Sequence, residues 1–221
     1  MTPNASELFQ AIRSGDREAA ERLLDADPSL ASARDASGVS ALTLATYHAR
    51  PGIARTIRSH LVEIDAFEAA ALGESGRLAE LLAKDPSLLS ALSPDGFPLL
   101  GLTAFFGHLE AAELLLARGA DPNAAATNPM HVRPLHAAAA TQDANAAVEL
   151  TKRLLARGAD PNASQHGGYT PLHEAAGNGN VALVSLLLAH GADASARSEE
   201  GRTPAEVARE KGHPGVADLL A

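Results

Sequence analysis

Nine histidines and no cysteine stand in a chain of 221 residues, so metal binding or proton transfer here would rest on imidazole and carboxylate groups. A helical zinc site places two imidazoles four residues apart on one face, with a carboxylate nearby. His48, His60, His108, His131, His136, His166, His173, His190 and His213 nowhere make that pattern. The nearest approach is HVRPLH, which sets His131 in a loop and His136 on a helix with no evident third ligand. There is no Gly-x-Ser-x-Gly elbow. GGY (167–169) reads as a hairpin turn and GNGN (177–180) as the joint between two helices, so neither is a phosphate loop. That leaves His173, crowded with a threonine and a proline into GYTPLHEAAGNGN (168–180), and its role depends on the elements that hold it.

Those elements repeat. LLLARGADPNA (114–124) returns as LLARGADPNA (154–163) and LLLAHGADASA (186–196), with the Gly-Ala-Asp glycines at Gly119, Gly158 and Gly191. In the N-terminal half, Phe9, Gly15, Leu23, Leu24, Asp27, Pro28, Ser29 and Leu30 are matched 58 residues later by Phe67, Gly73, Leu81, Leu82, Asp85, Pro86, Ser87 and Leu88. Each unit reads as two short helices and a turn. Thr170 suits a helix N-cap and Pro171 the first helical position, which puts His173 on the first turn. Gly179 breaks that helix, Val181–Ala189 forms a second, and Gly191 ends it. Carboxylates such as Asp121 and Asp160 recur with the period and read as architecture.

With a period near 33 residues and the T-P-L-H-x-A signature in TPLHEA (170–175), the chain resembles the ankyrin repeat family. The resemblance implies an all-α, right-handed solenoid of about seven stacked helix-turn-helix units with short hairpin loops. The units are 6–35, 38–62, 63–95, 96–127, 131–166, 168–199 and 201–221, forming one domain over 1–221 whose first and last units act as caps. It also implies that a histidine in the His173 slot ties neighbouring hairpin loops together by hydrogen bonds. His136 fills the same slot, but Thr43, Gly101 and Glu206 fill it elsewhere, which is no distribution for a catalytic group.

In such an array, recognition comes from positions that vary between units and face outward. The resemblance makes these the hairpin tips and the exposed side of the first helices, which together form a concave face. Carried over, they are Val39, Tyr47, His48, Phe97, Leu102, Phe105, Phe106, Met130, His131, Val132, Tyr169 and Arg202. Leu44, Thr141, Glu174 and Asn178 follow on the same helix faces. Five of the seven Phe and Tyr residues fall on this face, a concentration typical of interface anchors. Phe105 or Phe106 could instead turn inward beside the degenerate PLLGLT segment. The fifth unit carries two extra residues in its hairpin, TNPMHVR, and four between its helices around TQDANAA. The first insert extends the binding surface or is a tolerated loop, and the second reads as the latter. Between the second and third units no Gly-Ala-Asp and no hairpin residues occur, so one finger is missing and a notch or change of curvature is expected near 59–66.

Composition narrows the function classes. Phe, Tyr and Trp make up 3% of the chain, so Leu, Ala, Val and Ile must fill the core. The absence of cysteine excludes disulfides and thiolate sites. The net charge of −9, with no basic cluster, argues against nucleic acid. No leader or membrane-spanning stretch is apparent. The expectation is a cytoplasmic, monomeric protein-interaction scaffold, not an enzyme, with no cofactor, metal, nucleic acid or membrane. The alternative is an enzyme or a small-ligand or metal-binding protein using His131, His136 and neighbouring polar groups.

Overall fold

The computed structural model describes residues 3–221. Among these, fourteen α-helices follow one another in pairs: α1 (Pro3–Ser14) with α2 (Arg17–Ala26), α3 (Ala41–Tyr47) with α4 (Pro51–His60), α5 (Ala66–Leu72) with α6 (Ser75–Lys84), and α7 (Leu99–Phe105) with α8 (Leu109–Ala117). Then come α9 (Pro134–Ala140) with α10 (Ala144–Ala156), α11 (Pro171–Gly177) with α12 (Val181–Ala189), and α13 (Pro204–Glu210) with α14 (Pro214–Leu219). The described residues form no strand beyond two isolated bridges, Arg34 to Ser40 and Leu92 to Pro98, at the necks of two hairpins. This is an α-solenoid. No described helix is long and apolar enough to cross a membrane.

Six of the first helices are only seven residues long, too short to stand alone in water. They are stable because each lies between two others: α1, α3, α5, α7, α9, α11 and α13 pack in one continuous row. Small residues allow the close approach, and Ala45, Ala69, Ala138, Ala175 and Ala208 are fully buried in it. Local chemistry fixes the ends. Asp65 and Glu68 make a reciprocal capping box on α5, and Asp16 caps α2 through the Ala19 N–H. The Asp-Pro-Ser-Leu motifs start short 3₁₀ helices at 28–32 and 86–90, capped by Asp27 and Asp85.

The second helices form a less regular row. α2 packs on α4, and α6, α8, α10 and α12 pack in succession, but α4 and α6 make little or no contact, as do α12 and α14. The connection from α4 to α5 is only residues 61–65, without a hairpin, so the missing finger is real. At this step, where a notch or a change of curvature is expected near 59–66, the opening lies between the second helices and not between the hairpins. The hairpins on either side close up on each other: a Cβ on Gly38 would meet that of Pro94 at 3.0 Å, and Arg34 reaches over to Asp65 at 2.8 Å.

The fifth pair also differs from expectation. Its four extra residues do not lie between the helices: three residues join α9 to α10, as three join α11 to α12. The excess is inside α10, 13 residues long where α8 and α12 have nine. Four residues are about one helical turn, so α10 grows without rotating its buried face.

Candidate functional site

The Gly-Ala-Asp-Pro-Asn motif is a clasp between units. The Asn123 side chain donates to the Gly158 carbonyl at 2.9 Å and accepts from the Asp160 N–H at 2.9 Å. Asn162 does the same to Gly191 and Asp193, both at 2.8 Å. In the third copy Ser195 stands where the asparagine was and caps its own Asp193 turn.

His173 belongs to a second clasp. Its Nδ1 accepts the Thr170 N–H at 3.1 Å, so the ring proton sits on Nε2 and donates to the Arg202 carbonyl at 3.0 Å. His136 repeats the outer half, its Nε2–H reaching the Tyr169 carbonyl at 3.1 Å. Arg133 occupies its N-cap in place of a threonine, and the buried Nδ1 has no partner. Burial, with the nearby Arg133 charge, lowers the His136 pKa to about 4, and burial lowers that of His173. His136 is 1% exposed, whereas His131 lies on the surface with φ +50. These two histidines therefore face different environments, and among the described residues no three His, Asp or Glu side chains converge as a metal site.

The expected binding residues separate into groups. Tyr47, Phe105 and Phe106 come together: the Phe105 ring lies edge-on at 5.1 Å to Phe106 and 6.4 Å to Tyr47, and Tyr47 is 5.4 Å from Phe106. Phe105 is 42% exposed. Phe106 is half-buried and packs on the core, so the two phenylalanines divide the roles left open between them. A hollow of about 200 Å³ lies against the trio and is closed by Ala140, Thr141 and Gln142. His48 is exposed at the end of α3.

Tyr169 and Arg202 form a separate group. The guanidinium lies over the Tyr169 ring, 5.4 Å from its centroid, and bonds the phenol oxygen. It also pairs with Glu200 and Glu210. Exposed Met130 joins Tyr169 around a second hollow of about 420 Å³. The extended hairpin carrying Met130 is bound on both sides, through Asn128 to the Asp95 carbonyl at 3.0 Å and through the Met130 carbonyl to the His166 N–H at 3.0 Å.

Two expected surface residues are in the core. Leu102 is 1% exposed, because α7 lies between α5 and α9 and Phe106 follows four residues on along the same helix face. Val39 is 7% exposed, covered as its hairpin closes on the next. Phe97 and Val132 are half-buried and pack on the core. Three glutamates line the second hollow: Glu174, expected on the outward face of its helix, and Glu199 and Glu200, which the sequence did not single out. Glu174 has its pKa raised by burial, opposed by the Lys211 charge. Its place on the outward face of α11 was readable; the convergence with residues from the next hairpin was not.

Comparison with known families gives two matches. A model of three ankyrin repeats covers residues 135–221, and a single ankyrin repeat covers 95–127. Together they span more than half of the chain, and the helix pairs before residue 95 continue the same row. No curated protein matches the chain.

Proposed function

The chain belongs to the ankyrin repeat family, and we propose that it holds a protein partner on the face made by its hairpin tips and first helices, with Tyr47, Phe105 and Phe106 as the apolar anchor. Ankyrin repeats generally serve as protein-interaction modules. The observation that carries the reading is the exposure of Phe105, 42%, at the edge of an aromatic trio beside an open hollow. A solvent-facing aromatic next to a pocket is the usual form of an interface hot spot. His48, Met130, His131, Tyr169 and Arg202 extend the surface around it.

The partner's chemistry follows from the second hollow. Glu174 and Glu199 present carboxylates there, Glu200 being held by Arg202, and burial makes the Glu174 charge costly to leave unpaired. A partner offering an apolar side chain to the trio and a lysine or arginine to the glutamates satisfies both. The test is a photo-crosslinking residue at position 105, with Val62 on the α4–α5 connection as the control site. A partner captured from 105 and not from 62, whose affinity then falls for Phe105→Ala, supports the reading. Equal capture from both sites contradicts it.

A further inference from the structure

Where α4 and α6 part, a cleft of about 550 Å³ opens, floored by Ala54, Ala71, Leu72 and Phe106. That volume lies within the range of small-molecule sites. In three other pairs a glycine lies under the N-cap residue of the next second helix. A Cβ on Gly15, Gly73 or Gly179 would come within 2.8, 2.6 or 2.5 Å of Arg50, His108 or His213, in each case the N-cap residue of the next second helix. In the second pair the glycine is replaced by Ala49, held in the left-handed region at φ +52. The N-cap residue of α6, Glu74, bonds Arg58, at 2.8 and 3.2 Å.

The cleft's charge is opposite to that of the protein. Arg50, Arg55 and Arg58 line it against Glu74 alone, in a chain of net charge −9. Arg58 is neutralised by Glu74. Arg50 touches the Arg13 carbonyl at 3.4 Å through one terminal nitrogen, while its Nε–H is buried without an acceptor. Arg55 is exposed and has no hydrogen bond or ion pair. His108, at the far wall, bonds the Ala71 carbonyl through Nε2 at 2.9 Å. The Arg50 guanidinium lies over Gly15 and faces the preceding pair, which leaves Arg55, its donors free beside an apolar floor, to suit a carboxylate joined to a hydrocarbon chain.

We propose that this cleft binds a small organic anion with an apolar tail, its carboxylate held by Arg55 and its chain lying over Ala54, Ala71, Leu72 and Phe106. The cleft shares Phe106 with the protein interface, but Arg55 belongs to the cleft alone and Phe105 to the interface alone, so variants at these two residues test each proposal separately.

The test is titration of the ¹⁵N-labelled full chain with octanoate, and with octanol as the uncharged counterpart. Octanoate should give saturable amide shifts at Ala49, Ala54, Ala71 and Leu72, with octanol weaker by about tenfold for the lost charge-assisted hydrogen bonds. Arg55→Gln should weaken octanoate by about the same factor and, being an exposed change, leave the melting temperature in place. Absence of saturable shifts at millimolar octanoate, octanol binding as tightly as octanoate, or an Arg55→Gln variant that binds octanoate as the wild type does would each overturn the proposal.

Discussion

The Tyr47 hydroxyl donates a 2.9 Å hydrogen bond to Asp95, a residue 48 positions later in the chain. The contact joins the end of α3 to the hairpin that precedes α7, across the step where a hairpin is missing. Burial, followed by the Asp95 charge and this hydrogen bond, raises the tyrosine pKa and keeps the phenol protonated. Tyr47 therefore has two jobs, tying two fingers together and supporting the Phe105 and Phe106 rings.

Tyr47→Phe separates them. The ring contacts survive, and the lost hydrogen bond to a carboxylate should cost about 1–2 kcal/mol of stability. Thermal melting checks this, and an unchanged melting temperature would show that the missing finger is bridged by other contacts.

His173→Ala should cost about 2 kcal/mol, since it leaves the Thr170 N–H and the Arg202 carbonyl without their partner. Partner binding should persist at temperatures where the variant is folded. Loss of function with unchanged melting would instead make His173 a functional group.

The His136 imidazole makes stability depend on pH. Its folded pKa of about 4 is below the ordinary 6.5, so between these values the unfolded chain binds the extra proton. The contribution is complete above about pH 6.5 and is lost as pH falls towards 4. It is worth up to about 3 kcal/mol. Urea denaturation at pH 7 and pH 4.5 should show a smaller loss for His136→Asn, which keeps an N–H for the Tyr169 carbonyl, than for the wild type. Equal losses would refute the assignment.

Asn162→Ala should cost about 1 kcal/mol, because its amide joins two units. Ser195→Ala, at the matching position, bonds only within its own turn and should cost less. A reversed order of melting temperatures would contradict the clasp.

The repeat made much of the fold legible. Thr-Pro-Leu-His and Gly-Ala-Asp mark local ends that the backbone obeys wherever they occur, so the helix pairs, the His173 tie and the missing finger could all be read. What escaped depended on neighbours. Leu102 and Val39 hold positions that are half-buried in several other units, as at Leu44, Glu174, Phe97 and Tyr169, and an apolar side chain there is covered fully once adjacent helices or hairpins close over it. Of the fifth unit's two inserts, the four-residue one lies in α10 and not in the joint before it, because four residues fit in one helical turn as well as in a loop.

The central claim, that the exposed edge of the aromatic trio is a protein interface, is tested most directly by measuring melting temperature and partner affinity on one variant, Phe105→Ala. Because Phe105 is 42% exposed, its truncation should cost far less stability than the roughly 3–5 kcal/mol of a buried phenylalanine. Binding should nevertheless weaken by about 2 kcal/mol, close to thirtyfold. A large drop in melting temperature with affinity unchanged in the folded fraction would make Phe105 a packing residue and contradict the interface.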